Sequence, residues 1–269
     1  MTKGRFGLWI LVPTVVAALF SASTQAQEES FPGTFRLHAG IVPTSYKITF
    51  DQNAPNFGGP LNYQNKTAKA TYAAVNAGMT WVSPTGVYVD FSAQQSLSAT
   101  HDLWSNIPGG DKQDFSHDTY TLTAGYARAI GGDVSVSGFG GFLKGETVLN
   151  APTPPFGFTK DTFDSQGLFF GVGAGVPALE GQFSGSVALA FMSGKWKDDT
   201  GYNNSARATI GFSLGGAYTY KFDPAWGVTA EVRYQQYSYN FDAQPPVAVN
   251  EYTIKEQIGS VGVRLSYQF

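Results

Sequence analysis

Beyond residue 34, apolar and polar side chains alternate one by one along most of the chain. Such period-two patterning places one kind of residue on each face of an extended strand. In the stretch 206–222, Ile210, Phe212, Leu214, Tyr218, Tyr220 and Phe222 share one side, while Thr209, Gly211, Ser213, Thr219 and Lys221 share the other. In 226–241, Trp226, Val228, Ala230, Val232 and Tyr234 oppose Gly227, Thr229, Glu231, Arg233 and Gln235. In 181–195, Phe183, Val187, Leu189 and Phe191 oppose Gln182, Ser184, Ser186 and Ala188. Ten segments of this kind are predicted, at 35–50, 67–83, 86–100, 118–130, 133–148, 163–177, 181–195, 206–222, 226–241 and 251–269.

The connections alternate in length. Ser83-Pro84-Thr85-Gly86, Ile130-Gly131-Gly132-Asp133, Pro177-Ala178-Leu179-Glu180-Gly181 and Phe222-Asp223-Pro224-Ala225-Trp226 are tight turns of Gly, Pro and Asp. Longer polar connections fall near 51–66, 101–117, 149–162, 196–205 and 242–250. Pro43 interrupts the first segment and removes a backbone donor, so a bulge is expected there.

Composition narrows the setting. Aromatics reach 15% and glycine 32 residues, yet mean hydropathy is only −0.13. A sheet facing lipid with alternate residues reconciles these values, because only half of each strand must be apolar. Cysteine is absent, which excludes disulfides, thiol chemistry and cysteine metal sites. The net charge of −3, without a basic patch, argues against nucleic acid as a partner.

At the N-terminus Lys3 and Arg5 precede an apolar run from Phe6 to Phe20, followed by Ser21, Ala22 and Ser23. This is the build of a cleaved secretory leader, with Thr24-Gln25-Ala26 as the cleavage site. Pro13 interrupts the run, which falls short of the roughly 20 residues that span a bilayer. The expected organisation is therefore a signal peptide at 1–26, a short tail at 27–34 and one strand-built domain at 35–269. At the other end, Val261, Val263, Leu265, Tyr267 and Phe269 alternate with Gly262, Arg264, Ser266 and Gln268, and the last residue is aromatic.

Together the leader, the alternating strands and this terminal segment resemble bacterial outer-membrane β-barrel proteins. The resemblance implies an all-β, up-and-down antiparallel transmembrane β-barrel of ten strands in the outer membrane. It also implies Leu265, Tyr267 and Phe269 as an assembly signal, with outer-membrane lipid and the barrel-assembly machinery as partners. Short turns would face the periplasm and long loops the exterior. Trp81, Trp226, Tyr267 and Phe269 are expected in an aromatic girdle on the turn side, and Tyr120, Phe163, Trp196 and Tyr252 on the loop side.

By parity, Arg36, Asp90, Lys221, Glu231, Arg233 and Arg264 point into the lumen. In a narrow barrel such charges either pack as a paired network or form a constriction for a small solute. Histidine occurs at His38, His101 and His117. His101-Asp102 and His117-Asp118 bracket the second long connection, and are minor candidates for a rim hydrolase. Omptin-type proteases are ten-stranded barrels with an Asp pair facing a His–Asp pair across the rim. Here both dipeptides come from one loop, and the only opposing acids, Asp198-Asp199, are adjacent, so no catalytic role is carried over. Ser116-His117-Asp118 holds the three residue types of a triad, but consecutive strand residues point to opposite faces. Asp102, Asp111, Asp114 and Asp118 follow no calcium-loop spacing. No metal and no cofactor are expected.

Three activities follow as expectations. The first is a non-enzymatic surface or structural barrel, adhesive in one form, with a charge-filled lumen and an extracellular ligand left open. The second is a narrow solute channel, and the third a rim hydrolase, omptin-like or lipid-modifying.

Overall fold

The computed structural model describes residues 33–52, 66–97, 99–101, 113–130, 134–153, 157–199, 201, 203–242 and 251–269. The leader and most of the tail fall outside these, as do parts of all five long connections. Ten antiparallel wall strands are present: β1 (Thr34–Gln52), β2 (Lys66–Val82), β3 (Val87–Ser96, continued by Ala99–His101), β4 (Gln113–Ala129) and β5 (Ser135–Thr153). They continue as β6 (Gly157–Ala178), β7 (Gly181–Asp198), β8 (Asn203–Arg207, continued by Thr209–Lys221), β9 (Trp226–Phe241) and β10 (Tyr252–Gln268). Each pairs with its sequence neighbours, and β1 pairs with β10 from Arg36–Gln268 to Gln52–Tyr252. The sheet therefore closes. Closure leaves no edge, as hydrocarbon requires, because an unpaired backbone group there costs several kcal/mol.

The seam is locked at its turn-side end. The Phe269 amide donates to the Phe35 carbonyl at 2.9 Å and the Gln268 amide to the Ala225 carbonyl at 2.8 Å. The Tyr267 ring packs between Trp226 and Phe269, 4.8 and 4.9 Å from their centroids. The tight turns are held by their own polar atoms: the Ala225 amide donates to Asp223 Oδ1 at 2.9 Å, and the Val87 amide to Ser83 Oγ at 3.0 Å. Gly86 has φ +93°, and a Cβ there would stand 2.2 Å from the Ala127 carbonyl oxygen. Leu179 and Glu180 join β6 to β7 with φ of 50° and 63°, the twist a two-residue hairpin needs. The Tyr218 hydroxyl donates to the Leu179 carbonyl and steadies that turn.

Several expectations are corrected. Pro43 makes no bulge: Ile41 faces Val263 and Thr44 faces Ser260, an equal count on both strands. The proline simply leaves its rung unmade, with its ring outward. The connection expected at 149–162 is mostly strand, since β5 runs to Thr153 and β6 starts at Gly157. Likewise β4 begins at Gln113, so His117 lies in the wall and not on a loop.

The largest correction concerns the loop-side aromatics. Phe163 and Trp196 are buried inside the barrel, and Tyr252, which shares the inward parity of Ile254, stacks on Phe241 at 4.6 Å. Of the four expected in an outer girdle, only Tyr120 faces out. The cause is a reversal of phase along each strand. On the turn side the outward positions are apolar: Ile41, Met79, Leu122, Phe170, Leu189, Val232 and Val263 are exposed. On the loop side the inward positions are apolar instead: Tyr46, Ile48, Tyr72, Phe163, Met192, Tyr239 and Ile254 are buried. Unbroken strands of 16–22 residues, at the 35–45° tilt usual for such barrels, rise about 40–60 Å. The apolar band of such a barrel is only about 25 Å tall. The wall above it stands in water, so there the sheet turns its apolar face inward.

Candidate functional site

The reversal divides the lumen in two. The turn-side half is polar. Arg264 Nη2 pairs with Glu231 Oε2 at 2.6 Å, and Thr80 Oγ1 donates to Asp90 Oδ1 at 2.6 Å. Gly262 makes room for the first pair, since a Cβ there would stand 3.3 Å from Glu231 Oε1. Two cavities lie here. One of about 320 Å³ is lined by Asp90, Arg233, Arg264, Tyr88 and Phe169 among others. The other, about 350 Å³, is lined by Glu231, Arg233, Arg264 and the small residues Ser135, Ser184 and Gly215. The charged wall of β9, β10 and β3 thus faces a wall of serine and glycine from β5 to β8, which leaves space that larger residues would fill.

Of the six lumen charges picked by parity, Asp90, Glu231, Arg233 and Arg264 surround this space. Arg36 instead meets Gln268 Oε1 at 3.4 Å. Lys221 is exposed at the end of β8 and takes no part. Glu231→Gln and Arg264→Gln are each expected to lower unfolding stability by about 1–3 kcal/mol, because each strands a half-buried partner. The double substitution should lose less than the sum, and a double-mutant cycle in detergent checks this.

The loop-side half is closed. Tyr46, Ile48, Leu149, Phe163, Met192, Tyr239, Phe241 and Ile254 are buried and pack into one cluster across it. Phe163 meets Tyr239 edge-on at 4.9 Å and Trp196 at 5.8 Å, and Phe115 meets Tyr46 at 5.1 Å. A polar chain threads this core. His117 Nδ1 lies 2.8 Å from Thr147 Oγ1, which lies 3.3 Å from the Tyr46 hydroxyl. The Tyr239 hydroxyl donates to Glu256 Oε2 at 3.0 Å. His117 Nε2, Glu256 Oε1 and the Tyr72 hydroxyl have no hydrogen-bond partner among the described residues.

This arrangement does not assemble a hydrolase at His117. The ring is 2% exposed and its partner is a threonine, whereas an activated nucleophile needs a base that substrate can approach. Asp118 points the other way, accepting from the Ser96 amide at 3.0 Å and its hydroxyl at 3.2 Å. His101 ends β3 opposite Gln113, and Asp102 and Asp111 lie outside the described residues. Asp198 stands opposite Asp161 on β6. Among the described residues no group of three or more His, Asp or Glu could hold a metal.

Glu256 was not singled out from the sequence, yet it was within reach of the parity argument. It lies eight residues before Arg264 on the same strand and shares its inward face. Tyr46 and Thr147 were hidden for a different reason, because hydroxyl-bearing residues on strands carry no sign of burial.

A closed antiparallel sheet with an apolar outer belt and a polar lumen defines an integral membrane β-barrel, in which strands and not helices make the crossing. The chain belongs to the outer membrane protein beta-barrel domain family, which matches residues 14–184, and it resides in the bacterial outer membrane. No curated protein matches it. Among solved structures it is similar to the outer membrane protease OmpT from Escherichia coli, at TM-score 0.62 and 11% identity over 91% of this chain and 99% of that one. The translocator domain of the autotransporter NalP from Neisseria meningitidis gives TM-score 0.46 and 12% identity over 96% of both chains. Ail, the attachment invasion locus protein of Yersinia pestis, gives TM-score 0.34 and 12% identity over 89% and 100%. At these identities the first of the three supports the fold alone.

Proposed function

We propose that this barrel is a non-conducting surface protein, which holds a rigid, dry-cored tower above the outer membrane to present its loops to an extracellular partner. The observation that carries this reading is the aromatic plug around Phe163, Tyr239 and Tyr46. A channel needs a continuous wet path, and a filled interior of this kind gives none. The absence of any assembled catalytic group among the described residues fits the same reading.

Purified protein in a planar bilayer is expected to give no discrete conductance steps, even at high protein load. Steps of defined size that scale with protein added would overturn the proposal. Replacing residues 154–156 by a short Gly-Ser linker should leave folding intact while reducing the attachment of expressing cells to a surface that they otherwise bind.

A further inference from the structure

The turn-side half of the lumen is a blind pocket. Along β7 the inward Ser184 and Ser186 are exposed to water, Ala188 and Ala190 are buried, and Met192 is sealed in the core. The same gradient runs along β9, from an exposed Arg233 through a half-buried Gln235 to Tyr237 and Tyr239, both buried. Water therefore enters from the turn end and stops at the aromatic plug. In this class the short turns face the periplasm, so the mouth opens there.

Two charges in this pocket are left over. Arg264 is taken by Glu231 at 2.6 Å. Among the described residues Arg233 forms no salt bridge, and neither does Asp90, whose Oδ1 accepts from Thr80 Oγ1. Both line the cavity of about 320 Å³. A plain anion there would meet Asp90 as well as Arg233, and a plain cation would meet Arg233 as well as Asp90. A ligand that satisfies both carries both charges. Three strands, β10, β1 and β2, separate β9 from β3 in the closed sheet. Arg233 and Asp90 thus stand on different walls, which favours charges held apart over the adjacent pair of a single amino acid.

The remaining lining suits a peptide. This cavity and its neighbour of about 350 Å³ share Arg233, Arg264, Tyr88, Phe139 and Ser186. At the roughly 30 Å³ that a water takes in the liquid, each holds on the order of ten non-hydrogen atoms. Ser186 and Ser213 offer hydroxyls that donate to or accept from peptide groups. At the blind end Phe139 meets Phe169 edge-on at 6.3 Å, and Phe169 packs against the plug, which makes an apolar seat.

We infer that the turn-side lumen is a binding pocket for a short zwitterionic peptide of the periplasm, with its carboxylate on Arg233, its ammonium on Asp90 and an apolar side chain against Phe139 and Phe169. The guanidinium fork matches a carboxylate in two parallel hydrogen bonds. Because the pocket is blind, the peptide is held and not passed, and the site does not depend on what the loops meet.

The test titrates the full-length protein in detergent with glycyl-phenylalanine, with its N-acetyl form and with its C-terminal amide, read by isothermal calorimetry. The free dipeptide should bind about tenfold more tightly than either blocked form, the scale of one charge-assisted hydrogen bond. R233Q and D90N should each weaken the free dipeptide about tenfold, and each should erase one preference. R233Q should bind the amide as well as the free dipeptide, and D90N should bind the N-acetyl form as well. These matched losses are what a merely structural role would not give. K69Q, on the outer wall, should bind as wild type. Heat-dependent gel mobility confirms that each variant is folded. No heat of binding at millimolar dipeptide, or folded R233Q and D90N variants that bind as wild type, would overturn the inference. So would equal binding of the free and N-acetyl forms to wild-type protein, which would make the pocket a plain anion site. If a variant fails to fold, the three peptides on wild-type protein still decide.

Discussion

Phe163→Ala is expected to destabilise the barrel by about 3–5 kcal/mol, the range for removing a large aromatic from a packed core. Phe163 is 0% exposed, and its ring braces Tyr239 on β9 and Trp196 on β7. In an ordinary lipid-facing barrel position the same change would matter much less, because lipid would fill the gap. Inside the tower no lipid can enter, and the surrounding strands are tied into a closed ladder that cannot collapse around the void. The measurement is an unfolding titration in detergent micelles, followed by tryptophan fluorescence and by gel mobility. A loss below about 1 kcal/mol would show that the loop-side lumen is loosely packed, and would remove the main support for a sealed barrel.

The second large effect tests where the membrane ends. Val172 is 60% exposed on the outward face of β6, at the level of the apolar belt, whereas Thr162 faces outward on the same strand near its loop end. Val172→Arg should cost about 2–4 kcal/mol of folding free energy in lipid, the price of an arginine near the bilayer midplane. Thr162→Arg should change it by less than about 0.5 kcal/mol, since that side chain stands in water. Folding titrations into vesicles compare the two directly. Equal effects would mean that the belt reaches Thr162 and that the tower does not exist.

Much of the architecture was legible in the residues. The alternation at 226–235 named both faces of β9 correctly, because a one-residue slip would have turned Val228 and Val232 inward and Glu231 and Arg233 into lipid. The strand number followed from the turns, whose Gly, Pro and Asp residues punctuate the pattern. The outcome at Phe163 and Trp196 was not legible in the same way. Alternation reports which residues share a face, not which face is inside, and that meaning changes at the water boundary. The stretch 149–162 reads as a longer polar connection, yet tertiary pairing carries β5 through Pro152 opposite Phe158. His117 shows the same limit. Its neighbours Ser116 and Asp118 look like a polar loop, and only the pairing of β4 with β5 reveals that they face outward while the imidazole enters the core.

By itself, then, the sequence determined the class: strands of period two, their order, their compartment and the parity of the lumen charges, all properties set by local chemistry and chain direction. The tertiary structure decided what no single strand contains. Whether the lumen is open depends on side chains from β1, β4, β6, β7 and β9 meeting across the barrel, and the Phe269 amide reaches the Phe35 carbonyl only because closure brings β10 beside β1. Both are consequences of register between distant segments, and register is fixed when the sheet closes.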